Sequence, residues 1–305
     1  MNRQLLVSCS DLVVDYGDFR ALSNVELRFG CEGVTGLIGV NGAGKTTLIH
    51  ALTGLNPRSA GDLAVLKEHN VMGYCPDTPS FEPWLSAPEV LEQSMALTRQ
   101  PIATADEIAA TLTTVGLGDV GARRVGGFSR GMKQRLGVAA ALVLKPKLLF
   151  LDEPTSALDP VGREEMLHLI RALGREIHIV FSSHLLDDVE RVAQSLVVIH
   201  QGSVLYEGST AGFLSRTKPS VDVLSRDSAQ LRQDLEDAGI EWSSEGDAGR
   251  LSVEPSEKAG LFAVLARDAS NVEAVLVERT SLQVAFQAEI ANRNLTTVGR
   301  AGSHE

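Results

Sequence analysis

The sequence predicts an α/β fold, with a mostly parallel central sheet followed by a smaller α+β domain. Three observations lead there. Gly33-Val34-Thr35-Gly36-Leu37-Ile38, Lys147-Leu148-Leu149-Phe150-Leu151-Asp152 and Ile177-His178-Ile179-Val180-Phe181-Ser182-Ser183 are short, largely apolar runs, the composition of strands buried on both faces. Helical patterns starting at Thr47 and at Leu185 follow the first and third of them. Past Thr217-Lys218-Pro219 the segments shorten and alternate between strand-like and helix-like. A chain of 305 residues has room for one large α/β domain and a small second one.

In chain order, Asp11-Leu12-Val13-Val14 reads as a strand, with Tyr16 just after it. The run 33–38 is the next strand. It leads directly into Gly39-Val40-Asn41-Gly42-Ala43-Gly44-Lys45-Thr46, which fits G-x-x-x-x-G-K-[ST] at every fixed position. Thr47-Leu48-Ile49-His50-Ala51-Leu52 then opens a helix. Strand, glycine-rich turn and helix together make a phosphate cradle. Glycines at 42 and 44 let backbone N–H groups converge on phosphate oxygens. The helix N-terminus adds its positive dipole end and free N–H groups. In this motif Lys45 reaches the β- and γ-phosphates of a nucleotide and the Thr46 hydroxyl ligates Mg2+.

Residues 78–140 read as mostly helical. Segments 87–97, 106–115 and 129–144 carry apolar residues at helical spacing, separated by Pro101 and a loop over 116–127. The apolar strand 147–152 then delivers two adjacent carboxylates. Asp152 is placed to bind Mg2+ through water, and Glu153 to polarise an attacking water as general base or by orientation. Pro154 pushes Glu153 out of the helical region and ends the strand.

The third apolar strand ends at His184. Ligands of doubly wound sheets sit at the carboxyl ends of the strands, so His184 is placed to contact a γ-phosphate and sense its presence. A histidine at a strand end is more often solvated or capping a helix. His50, His69, His168, His178 and His200 read as ordinary histidines of that kind.

Residues 196–208 read as a β-hairpin with a Gln201-Gly202 turn. Beyond the boundary near 217–219, strands at 221–224, 250–253 and 271–278 alternate with helices at 229–238 and 259–267, a β-α-β-α-β pattern. The segment 281–286 and a polar tail over 292–305, expected to be disordered, complete the chain. The expected division is therefore 1–216, 217–291 and the tail.

Composition narrows the function. A net charge of −11 argues against a nucleic-acid surface, which needs a basic stripe. Cys9, Cys31 and Cys75 have no ligand-like spacing and read as small buried apolar residues in a reducing compartment. Residues 1–4 lead straight into a strand rather than a signal peptide. No apolar run approaches the ~18 residues that suggest a membrane helix; the longest, 136–144, stops at Lys145-Pro146. Any membrane path is expected on another chain.

These motifs, in this order, resemble the nucleotide-binding subunit of ATP-binding cassette (ABC) transporters, and within it the drug- and polymer-exporter branch of the ABC-2 type. The residues that separate this family from other P-loop ATPases are Ser129-Arg130-Gly131-Met132, a Ser-x-Gly turn opening a helix shortly before the acidic strand. The resemblance spans about residues 5 to 215 with high specificity and the rest more loosely, where 281–286 resembles the closing helix of exporter cassettes. It implies a P-loop NTPase core with a mostly parallel sheet, an antiparallel β subdomain and a helical subdomain at about 78–140. It also implies ATP and Mg2+ as cofactors, with Lys45, Glu153 and His184 catalytic.

The same resemblance implies that Gly39, Val40, Asn41, Gly42, Ala43, Gly44, Lys45, Thr46 and Thr47 hold the phosphates while Tyr16 stacks on adenine. Ser129 and Gly131 would grip the γ-phosphate held by a second cassette, in a homodimer or heterodimer, and Ser156-Ala157-Leu158-Asp159 would cross that interface. A hydroxyl, a close-approach glycine and a helix N-terminus do form an anion site. An integral-membrane permease on a separate chain is the implied partner, with this subunit cytoplasmic and peripheral on the inner face of the membrane. Phe81, Pro83 and Trp84 are candidates for contact with it, or else local core.

Two departures stand out. Arg130 and Met132 replace a glycine and the glutamine of the usual Leu-Ser-Gly-Gly-Gln. In Gly73-Tyr74-Cys75-Pro76-Asp77 the last position is usually Gln, reaching Mg2+ and the attacking water; Asp77 is shorter and charged, yet still a hard oxygen ligand for that ion. An ABC-type ATPase acting as an assembly or regulatory factor without transport is the alternative, and an importer with a regulatory C-terminal domain a weaker third.

Overall fold

A computed structural model describes residues 5–30, 33–66, 72–98, 103–120, 123–156, 158–217, 221–243, 250–253, 258–277 and 281–301. Cys31, His69, Pro101, Ala157, Lys218 and Pro219 of the sequence reading lie outside the described residues, as do residues 1–4. The chain divides into two compact units, Met1–Ala211 and Gly212–Glu305.

The first unit opens with two long antiparallel strands, β1 (Val7–Tyr16) and β2 (Phe19–Phe29). Then come β3 (Gly33–Ile38), the glycine-rich turn and α1 (Lys45–Thr53). β4 (Ala60–Val65) returns to pair antiparallel with β1, giving a three-stranded sheet ordered β2-β1-β4. Of these three strands only part of β1 is legible in the sequence. β2 and β4 carry alternating polar residues and lack the solid apolar runs that mark the parallel strands.

After β5 (Met72–Cys75) come three helices, α2 (Ala87–Ala96), α3 (Ala105–Thr114) and α4 (Arg130–Leu142). Each starts where a side chain can satisfy free N–H groups. Ser86 with Glu89, and Thr104 with Glu107, form capping boxes, and Ser129 accepts from the N–H of Met132 at 3.2 Å. β6 (Leu148–Leu151), α5 (Pro160–Leu173), β7 (His178–Ser183), α6 (Leu186–Val192), β8 (Ser195–His200) and β9 (Ser203–Ser209) follow, and the division between the units falls within α7 (Thr210–Leu214).

The central sheet is ordered β5-β6-β7-β3-β8-β9, parallel throughout except for the antiparallel β8–β9 pair. The hairpin turn places Gln201 at φ 47° and Gly202 at φ 75°, the two positive angles of a two-residue hairpin loop. One continuous core joins both sheets to α1: Leu12, Val14 and Leu22 meet Leu48, Ile49 and Leu52, which meet Phe150, Val180 and Ile199. Phe29 stands edge-on to Phe150, 5.9 Å between ring centres. The phosphate-loop helix is thereby clamped between two sheets.

The second unit contains β10 (Val221–Ser225), α8 (Ser228–Asp237), β11 (Trp242–Ser243), β12 (Arg250–Val253), α9 (Lys258–Arg267), β13 (Val272–Val277) and α10 (Leu282–Ala301). Its antiparallel sheet is ordered β11-β12-β10-β13, a ferredoxin-like βαββαβ arrangement. Val221, Val223, Leu231, Leu235, Leu251 and Leu261 form its own core.

Two details differ from the sequence reading. β11 is an extra strand, too short at two residues to leave a pattern. The closing helix runs to Ala301 through the segment expected to be a disordered tail. Leu282, Ala285 and Phe286 are buried at helical spacing and anchor its start, and the polar continuation contains no proline to stop propagation.

Candidate nucleotide site

Three neighbouring strands, β6, β7 and β3, end at one edge of the central sheet, and the functional side chains gather beyond it. Gly39–Thr46 leaves β3 and enters α1. Gly42 at φ 79° and Gly44 at φ 107° occupy the left-handed region, which lets the loop turn its N–H groups inward. Gly202 of the hairpin turn donates its N–H to Ala43 O at 3.0 Å, so the β8–β9 turn buttresses the phosphate loop. Val40, Asn41, Gly42 and Thr46 are exposed, Gly44 and Thr47 half-buried, and Gly39 and Ala43 buried.

Lys45 is buried, and its ammonium donates to Gly39 O at 2.8 Å and lies 3.5 Å from Glu153 Oε1. The Thr46 hydroxyl donates to Asp152 Oδ2 at 2.8 Å, joining residues 106 apart in sequence. Glu153 takes φ 46°, left-handed for a residue with a side chain, so the strand ends in a sharp turn. Pro154 disfavours the right-handed helical conformation at Glu153 but by itself would leave the residue extended, so the left-handed angle is set by the contacts around it. From there Glu153 Oε2 reaches His184 Nδ1 at 2.7 Å and lies 3.4 Å from the His184 N–H. Lys45, Thr46, Asp152, Glu153 and His184 thus form one connected cluster.

Tyr16, Asp77, Ser129 and Gly131 lie outside these bonds. Tyr16 is half exposed at the end of β1, its hydroxyl accepting from Asn56 Nδ2 at 2.6 Å. Asp77, on the loop after β5, accepts from the Ser156 hydroxyl at 2.8 Å and from Thr78 Oγ1 at 3.4 Å. Asp77 still belongs to the same electrostatic neighbourhood. The Tyr74 phenol is raised in pKa first by burial and then, in decreasing order, by Asp152, Cys75 and Asp77. Ser129 is exposed at the N-cap of α4, and a side chain at Gly131 would meet Leu158 Cδ2 at 3.5 Å and Ser129 Oγ at 4.0 Å, ordinary van der Waals distances.

Several residues that hold the site carry no motif of their own. The buried Ser182 hydroxyl donates to Asp152 Oδ1 at 2.6 Å and accepts from the Glu153 N–H at 2.8 Å. The fully buried Asp188 accepts from Thr155 Oγ1 and from Arg163 Nε, both at 2.7 Å. It thereby ties the start of α6, just past His184, to the loop after Glu153. Gln134 of α4, also buried, donates to Pro76 O at 3.4 Å beside Asp77. Their signal in the sequence is a polar residue inside an apolar pattern, which identifies no partner.

Thr46 and Asp152 offer hard oxygens 2.8 Å apart beside a cradle for phosphate, a donor set that suits Mg2+, which binds through one or two protein groups and substrate phosphates. Among the described residues no group of three His, Cys, Asp or Glu side chains is placed to hold a metal by themselves. None of the described helices is long and apolar enough to cross a membrane.

Fold and site together define a P-loop nucleotide-binding ATPase. The family model described as ABC transporter matches residues 22–156. An uncharacterized ABC transporter ATP-binding protein, YxlF of Bacillus subtilis, is 37% identical over 225 residues, covering 72% of this chain and 76% of that protein. The daunorubicin/doxorubicin resistance ATP-binding protein DrrA of Streptomyces peucetius is 32% identical over 303 residues, covering 92% and 91%. A solved structure of an ATP-binding subunit of an ABC transporter superposes with a TM-score of 0.59 at 27% identity, covering 69% of this chain and 92% of that one. The chain belongs to the ABC transporter family, as one of its ATP-binding and ATP-hydrolysing cassettes.

Proposed function

We propose that this chain is the ATPase subunit of an exporter, working as a cassette dimer beneath a membrane permease on a separate chain. The observation that carries the reading is the single cluster of Lys45, Thr46, Asp152, Glu153 and His184 at the mouth of the phosphate loop. Exporter function is supported by relatives named for drug resistance and for bacitracin transport, the latter BcrA of Bacillus licheniformis at 36% identity.

In this reading the N–H groups of Gly39–Thr46 and of Thr47 hold the phosphates, Lys45 exchanges Glu153 for a phosphate oxygen, and Tyr16 stacks on the adenine. Mg2+, when bound, neutralises charge on the phosphate oxygens. Thr46 and Asp152 would hold it, with Asp77 the third candidate. Glu153, released from Lys45 and kept oriented by His184, accepts a proton from the attacking water. Ser129 is exposed and Gly131 half-buried with room for a close approach, as closing on a nucleotide held by a second cassette requires. The domains are read as the cassette, with its helical part at about 78–140, and a separate α+β appendix.

The test is Glu153→Gln. ATP binding should persist while steady-state turnover falls by at least about a hundredfold, the lower end for removing a general base. Size-exclusion chromatography with ATP should then show a trapped dimer. Normal turnover by that variant would overturn the assignment. Purification from detergent-solubilised membranes without any integral-membrane partner would count against transport.

A further inference from the structure

We propose that Ser182 is a positioning residue that aligns the two carboxylates of the site at once, Asp152 through its side chain and Glu153 through its backbone. The proposal rests on the reading of Asp152 and Glu153 given above. β7 lies between β6 and β3, with Leu151 opposite Phe181, so Ser182 falls one step further, beside Asp152. Every residue of β7 is buried, and a hydroxyl in such a strand is costly unless both its proton and its lone pairs find partners.

Both partners of Ser182 are site residues. Its proton goes to Asp152 Oδ1 at 2.6 Å, which leaves its lone pairs to accept the Glu153 N–H at 2.8 Å. The other oxygen of Asp152 takes the Thr46 hydroxyl at 2.8 Å, so the carboxylate is held at both ends and its plane cannot rotate. The Glu153 peptide is held in turn at φ 46°, the conformation from which its side chain reaches both Lys45 and His184. A strand that needed only to pack would use a β-branched apolar residue here. The hydroxyl links where the metal carboxylate points to where the water-orienting carboxylate starts.

Ser182→Ala removes both hydrogen bonds with little change of volume, and Ser182→Thr keeps the hydroxyl. Binding of Mn2+ in the presence of ADP, followed by electron paramagnetic resonance, reads the metal site without turnover. Nucleotide binding in EDTA reads the phosphate loop alone. Expected for Ser182→Ala are unchanged nucleotide affinity in EDTA, Mn2+ affinity weakened about ten- to a hundredfold, and kcat lowered by a similar factor. Ser182→Thr should recover most of both losses.

Unchanged Mn2+ affinity and kcat in Ser182→Ala would overturn the proposal. So would a parallel loss of nucleotide affinity in EDTA, which would mean general damage to the cradle. Glu153→Gln, assayed alongside, separates the two levels: if it is inactive and Ser182→Ala normal, only the role of Ser182 fails. If Glu153→Gln turns over normally, the underlying reading of the carboxylates fails.

Discussion

Glu153 and His184 meet through one hydrogen bond of 2.7 Å, between Oε2 and the imidazole Nδ1. The ring nitrogen facing the carboxylate is Nδ1, so the proton shared with Glu153 lies on that side of the ring. His184 is thus an orienting partner of the base in this state. The other carboxylate oxygen is the one that faces Lys45.

That geometry separates two substitutions. Asparagine places an amide nitrogen near the position of Nδ1, whereas glutamine reaches toward that of Nε2. His184→Asn should therefore retain more kcat than His184→Gln, and His184→Ala should lose about a hundredfold. Steady-state ATPase assays at saturating ATP give the ranking. Equal loss in Asn and Gln variants would mean that the Glu153 contact is not what matters.

Asp188 is fully buried between Thr155 and Arg163, and it fastens the loop that follows Glu153 to α6. Removing the carboxylate strands a hydroxyl and a partly buried guanidinium. Asp188→Ala should cost about 2–4 kcal/mol of stability, read as a lower urea midpoint. Asp188→Asn should cost less, since it keeps an acceptor for one partner.

Asp77 adds a negative charge where nucleotide phosphates are expected, and its carboxylate is exposed. Asp77→Asn keeps an acceptor for the Ser156 hydroxyl and removes the charge. In EDTA, without Mg2+, ATP should bind a few-fold tighter to this variant at low salt, and the gain should shrink near 0.5 M salt, where screening is strong; about 1 kcal/mol or less is at stake for an exposed charge. Titration calorimetry at two ionic strengths checks it.

Glu207 of β9 is a stability probe away from the site. Its carboxyl accepts the Arg28 N–H at 3.1 Å, yet burial raises its pKa, outweighing that bond. A carboxyl with a raised pKa in the folded state binds more protons there than when unfolded. Stability must therefore fall as pH rises from the ordinary glutamate range through the raised value. Glu207→Gln should leave stability nearly unchanged below that range and improve it above. Denaturant melts from pH 4 to pH 8 should show the two proteins diverging as pH increases.

Local chemistry was legible where contiguous residues suffice. Gly39–Thr46 between an apolar strand and a helix is a complete cradle, and Asp152-Glu153-Pro154 is a strand end that must turn. Ser129 was readable as the opening of α4, although its capping of Met132 adds a structural duty. Less legible were β2 and β4, whose alternating residues mimic surface loops, and α10, whose polar half resembles a free tail.

By itself, then, the sequence determined which residues could carry phosphate and acid–base chemistry, because short motifs dictate their own backbone. The tertiary structure decided which of them meet. Ser182 reaches Asp152 because β6 and β7 run parallel in one register, and that register is set by packing apolar faces on both sides of the sheet. Asp77 reaches Ser156, 79 residues away, only because β5 and β6 end side by side. Such bonds depend on how distant strands align, and no local pattern encodes that alignment.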